Sequence, residues 1–146
     1  MTTMEIIAAT DGSDPGTAAV RWAAREAARQ RRQLRIIHAF EWESAEVRFD
    51  GGYEFVETGQ QFAEAIVAAA VDEARRAAPT IRIRSETLVG RPALIRRSHE
   101  SRLVIVGSHD HGALANAMLG STGTQLLHHA GCPVYIARPH LEHVVG

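Results

Sequence analysis

The stretch "MEIIAATDGSDPGTAAVRWAAREAARQRR", Met4 to Arg32, followed by "QLRIIHAF", Gln33 to Phe40, decides the fold. "MEIIAAT" is a short apolar run that ends at "DGSDPG", a cluster of turn and capping residues, and such a run reads as a buried strand. The next segment is Ala-rich, with Val20, Ala23, Ala24 and Ala27 spaced to share one helical face. Asp14, just before Pro15, is read as the helix start: a capping carboxylate followed by proline in the first turn. "QLRIIHAF" is then a second strand, so the chain opens as strand, helix, strand.

The alternation continues. The span Glu41 to Glu57, charged and without a clean period, reads as a surface loop. "GQQFAEAIVAAAVDEARRAAP" reads as a long helix stopped at Pro79, with Phe62, Ile66, Ala69 and Ala70 on a common stripe. "TIRIRSETL" alternates Ile81 and Ile83 with Arg82 and Arg84, as a half-exposed strand does. Ala93 to Ser101 suits a short helix, and "RLVIVG" is apolar throughout and so belongs near the sheet centre. Ser121 to Ala130 reads as a further helix and "CPVYIAR", Cys132 to Arg138, as a last strand. Strands alternating with helices imply parallel βαβ units and one doubly wound α/β domain over residues 1–146.

Composition narrows the function. The 146 residues are 45% apolar and 23% charged, with a formal net charge of -1, which gives no electrostatic case for nucleic acid or an anionic membrane. All 16 basic residues are arginine, which excludes a lysine nucleophile or a Walker-type lysine. Cys132 is the single cysteine, so neither a disulfide framework nor a cysteine zinc site is expected, and its apolar setting reads as a buried thiol. "MTTMEIIAATDGS" has neither a basic flank nor a long apolar core, and no run approaches the ~20 apolar residues of a membrane span. A cytoplasmic protein is the expectation. No Ser–His–Asp order, paired carboxylates or nucleophile elbow emerges, so no catalytic residue is assigned. His109, His111, His128 and His129 show no regular ligand spacing, and no metal site is assigned to them.

In open parallel sheets ligands lie beyond the carboxyl ends of the strands, where the strand order reverses. "AATDGS", "HAFEW" and "VGSHDHG" fall at such ends. Gly107 lets backbone approach a ligand closely, and Gly120-Ser121-Thr122 opens a helix whose free N–H groups favour an anion. Spacing alone leaves open whether Ser121 and Thr122 bind phosphate or cap that helix.

Together "IIAATDGSDPGTAAVRWA", "IIHAF", "VGRPA", "LVIVGSHDHG", "LGSTG" and "CPVYIARP" resemble the universal stress protein family, in order and over nearly the whole chain. The resemblance implies a Rossmann-like sheet of five parallel strands in the order 3-2-1-4-5, flanked by helices, and a homodimer through the last strand, residues 133–138. It also implies an ATP site on the pattern G-x2-G-x9-G-[ST], an Asp after the first strand, and backbone groups at the end of the second. Carried over, the candidate contacts are Ala9, Thr10, Asp11, Ala39, Val106, Gly107, Ser108, His109, Asp110, Gly120, Ser121 and Thr122. Asp110 departs from the pattern, standing where its second glycine belongs. It brings a Cβ and a negative charge toward a triphosphate. The resemblance therefore leaves three readings: ATP bound alone or with Mg2+, a sensor of AMP or cyclic AMP, or a dimeric protein-interaction module that binds no ATP.

Overall fold

The computed structural model describes residues 4–40, 53–89, 91–107 and 129–137. Its elements alternate: β1 (Glu5–Ala9), α1 (Asp14–Gln30), β2 (Leu34–Phe40), α2 (Tyr53–Ala77), β3 (Ile83–Val89), α3 (Arg91–Ser98), β4 (Ser101–Gly107) and β5 (Val134–Ala137). All strand pairs are parallel, and the sheet order is β3-β2-β1-β4-β5. The alternation of apolar runs with helical periods thus yields the doubly wound sheet it implied.

Two-residue periodicity sorts the strand side chains into two cores. Ile6, Ala8, Leu34, Ile36 and Ile105 join Ala19, Val20, Ala23, Ala27, Ala70 and Ala74 of α1 and α2 on one face. Ile7, Ala9, Ile37, Val104 and Val106 gather with Leu94 of α3 on the other. Every residue of β1 is buried, which is why "EIIAA" carries no polar–apolar alternation.

Glu5 is the charged member of that strand, only 5% exposed. Its carboxylate accepts from Arg35 Nε at 2.6 Å and from Gln33 Nε2 at 3.1 Å. Arg35 also lies 3.6 Å from Glu86, which in turn takes a two-pronged contact from Arg97 at 2.9 and 3.0 Å. The chain of charges links β1, β2, β3 and α3, and it satisfies a carboxylate that would otherwise be costly to bury.

Four local expectations are corrected. The N-cap of α1 is Ser13, whose Oγ accepts from the Gly16 N–H at 3.2 Å; Asp14 is the first helical residue. Asp14 still favours the helix, as an acidic charge at the positive end of the dipole. Residues Tyr53 to Glu57 belong to α2, not to a loop. The buried stripe of α2 runs through Ala63, Val67, Ala70 and Ala74, while Phe62 is 68% exposed and Ala69 lies outside. That face is one residue around from the expected one; alanines allow the close approach to the Ala-lined face of α1, and a phenylalanine does not. Lastly, α3 spans Arg91–Ser98 and Ser101 opens β4, while β5 (Val134–Ala137) begins two residues after Cys132, and Arg138 lies outside the described residues. Glu41 to Gly52, and Ser121 to His128 of the expected further helix, lie outside the described residues.

β5 is a sheet edge, and Tyr135 stacks on Trp22 of α1 with ring centroids 4.1 Å apart and planes 11° from parallel. Cys132, just before β5, is half-buried, and burial pushes its thiol above the ordinary value.

Candidate functional site

The strand order reverses between β1 and β4. From β1 the chain moves outward through β2 to β3, then crosses back to place β4 on the other side of β1. Ala9 and Val106 are register partners, so Thr10-Asp11 and Gly107 leave adjacent strand ends at the switch point.

The turn after β1 is built by its own side chains. Thr10 Oγ1 accepts from the Gly12 N–H at 3.1 Å. Asp11 Oδ1 accepts from the Ser13 N–H at 2.9 Å and from the Ser13 hydroxyl at 2.5 Å. Ser13 then caps α1, and its carbonyl accepts from the Thr17 hydroxyl at 3.0 Å. Gly12 sits at φ +85°, with the Ile66 side chain 3.1 Å from where its Cβ would be. Only glycine takes that conformation at little cost. The Asx turn fixes Asp11 at the surface, where its carboxylate can accept from hydroxyl or amino groups of a ligand.

Gly107 has a different neighbour from the one expected. A Cβ there would stand 2.3 Å from the carbonyl carbon and oxygen of Pro15 and 2.7 Å from the nitrogen of Gly16. The close approach that requires glycine is to the first turn of α1, so its presence is accounted for by packing. Gly16 is equally confined, since a Cβ would come within 2.6 Å of Thr10 Oγ1.

The structure thus brings Ala9, Thr10, Asp11, Val106 and Gly107 together at one end of β1 and β4. Ala39 lies in β2, where it pairs with Leu88 of β3. Ser108, His109, Asp110, Gly120, Ser121 and Thr122 lie outside the described residues.

His38 was missed. It is 9% exposed, and its Nδ1 lies 2.8 Å from the Thr10 carbonyl oxygen. The signal was an imidazole inside the run "LRIIHAF", because a buried polar ring needs a partner.

A model of the universal stress protein family matches residues 3–138. The chain belongs to that family. A universal stress protein of Mycobacterium tuberculosis (strain H37Rv) is 33% identical over 135 residues, covering 91% of this chain and 45% of the relative. The chain therefore spans about half the length of the curated relatives it matches. Solved structures share the fold. A universal stress protein in complex with cAMP superposes with a TM-score of 0.68 at 24% identity, over 95% of this chain and 99% of that one. The Archaeoglobus fulgidus universal stress protein in complex with dAMP gives 0.68 at 19% identity, over 94% and 99%. Among the described residues of this family member, no helix is long and apolar enough to cross a membrane.

Proposed function

We propose that this universal stress protein domain binds an adenine nucleotide at the carboxyl ends of β1 and β4 and serves as a cytoplasmic stress-response or signalling module. ATP, with Mg2+, is the first ligand of this reading; AMP and cyclic AMP are its alternatives. The observation that carries it is the Asx turn of Asp11 at the switch point, beside the end of β4 from which the glycine pattern runs. Two proteins of the same fold, solved with cAMP and with dAMP, support an adenine ligand. Weak or no hydrolysis of the nucleotide is expected of the module, since the sequence offers no Ser–His–Asp order, paired carboxylates or nucleophile elbow.

Asp110 favours a second reading. Two unit charges ~4 Å apart repel by about 4 kcal/mol at an effective dielectric near 20, roughly a thousandfold in affinity. A monophosphate lessens that penalty and Mg2+ screens it. Without a nucleotide, the protein is a dimeric interaction module paired through β5.

Calorimetric titration with ATP, AMP and cyclic AMP, each with and without Mg2+, tests these readings. Asp110→Gly is expected to raise Mg2+-free ATP affinity by up to about a thousandfold and AMP affinity less. Silence toward all three nucleotides, in the wild type and the variant, overturns nucleotide binding and leaves the interaction module.

A further inference from the structure

We propose that His38 is a positioning residue of the nucleotide site, acting through the Thr10 carbonyl; this rests on the nucleotide-binding reading above. A carbonyl oxygen only accepts, so the ring nitrogen 2.8 Å from it carries the proton, and His38 donates from Nδ1. The Thr10 carbonyl and the Asp11 N–H belong to one rigid peptide plane. On its other edge that plane lies against α1, since a Cβ on Gly16 would come within 3.2 Å of the Asp11 nitrogen. The Thr10 N–H is held as well, donating to the Ile37 carbonyl at 2.9 Å.

The peptide that launches Asp11 is therefore gripped by an imidazole on one edge and by a helix on the other. His38 directly precedes Ala39, one of the nucleotide contacts carried over from the family resemblance. Its side chain thus ties the end of β2 to the end of β1, two of the segments from which the proposed nucleotide site is built. A ring buried to nine-tenths that holds this carbonyl through Nδ1 is a strut: it sets where the Asp11 carboxylate stands relative to Ala39.

The test uses three variants of the full chain. Asparagine places a side-chain N–H one bond beyond Cγ, as Nδ1 does; glutamine places it one bond farther; leucine offers none. Wild type, His38→Asn, His38→Gln and His38→Leu are titrated with Mg-ATP, AMP and cyclic AMP, and their thermal unfolding is recorded. Leucine and glutamine are expected to weaken binding about tenfold, the size of one buried hydrogen bond, with asparagine within about threefold of wild type. Unchanged binding by the leucine variant overturns the proposal, and so does an equal loss in all three that tracks their melting temperatures. Should the leucine variant not fold, the contrast between asparagine and glutamine decides.

If the wild type binds none of the three probes, the nucleotide reading fails by itself, and hydrogen exchange of the ligand-free protein judges the strut. Faster exchange at Gly12 and Ser13 in the glutamine variant than in the asparagine variant, with Ile6 to Ala8 unchanged, upholds it. Equal exchange at those amides overturns it.

Discussion

Gly107, at the end of β4, and Pro15, in the first turn of α1, leave no room for a side chain between them: a Cβ on Gly107 would lie 2.3 Å from the Pro15 carbonyl oxygen. Both partners of that clash are backbone, so neither can rotate away. The contact fixes the separation between β4 and the turn that carries Asp11. Gly107→Ala is expected to destabilise the fold by about 3 kcal/mol, the upper range for overpacking. Urea unfolding of the two proteins checks it; equal midpoints and slopes would mean the helix moves aside freely.

Glu5 and Arg35 form the best-buried ion pair among the described residues, with side chains 7% and 18% exposed. Arg35→Met leaves the Glu5 carboxylate with Gln33 alone, and should cost about 3 kcal/mol. Adding Glu5→Gln removes the stranded charge and is expected to recover part of the loss. A double-mutant cycle in urea measures this, and a double variant less stable than the single one would contradict it.

Cys132 ionises reluctantly because burial disfavours its thiolate, while the backbone of Val104 opposes the effect less strongly. Two outcomes follow. Iodoacetamide labels the native protein at pH 8 more slowly than the urea-unfolded chain. The folded thiol also holds its proton above its ordinary, unfolded value, so this group's stabilisation is complete below the unfolded value and lost as pH rises through the raised one. Mass spectrometry of labelling and unfolding midpoints from pH 8 to 10.5 read both, and Cys132→Ala should flatten the second. Equal labelling rates for the native and unfolded protein would contradict the first.

β5 offers an edge for a second copy. The Pro133 carbonyl accepts from the Val104 N–H at 3.0 Å, so by the two-residue period Val134 and Ile136 turn their backbone groups away from β4. Ile136→Pro removes an outward N–H and is expected to shift a dimer toward monomer while sparing the β4 pairing. A charge at Ile136 should weaken the dimer too, although the side chain packs against the second core and the fold would suffer with it. Size-exclusion chromatography with light scattering checks both; a dimer unchanged by proline would place the interface elsewhere.

The sequence by itself determined the kinds of element, their order and the winding of the sheet. Apolar runs of strand length and an Ala-rich helical period are local patterns, and the neighbours within a turn or a pleat suffice to read them. It also marked Asp11-Gly12 as a turn, because Asp11 bonds two residues ahead of itself. What faces what was decided only in three dimensions. The stripe of α2 passes through Ala63 and Val67 and leaves Phe62 outside, because the Ala-lined face of α1 sets how closely α2 can approach. That a side chain at Gly107 would meet the backbone of Pro15 is decided by the packing of α1 on β4. His38 reaches Thr10 across 28 residues of chain, and Arg35 reaches Glu5 across 30. Such pairs leave no periodic trace along the chain, since each partner obeys its own strand's alternation and only the register of β1 against β2 brings them into contact.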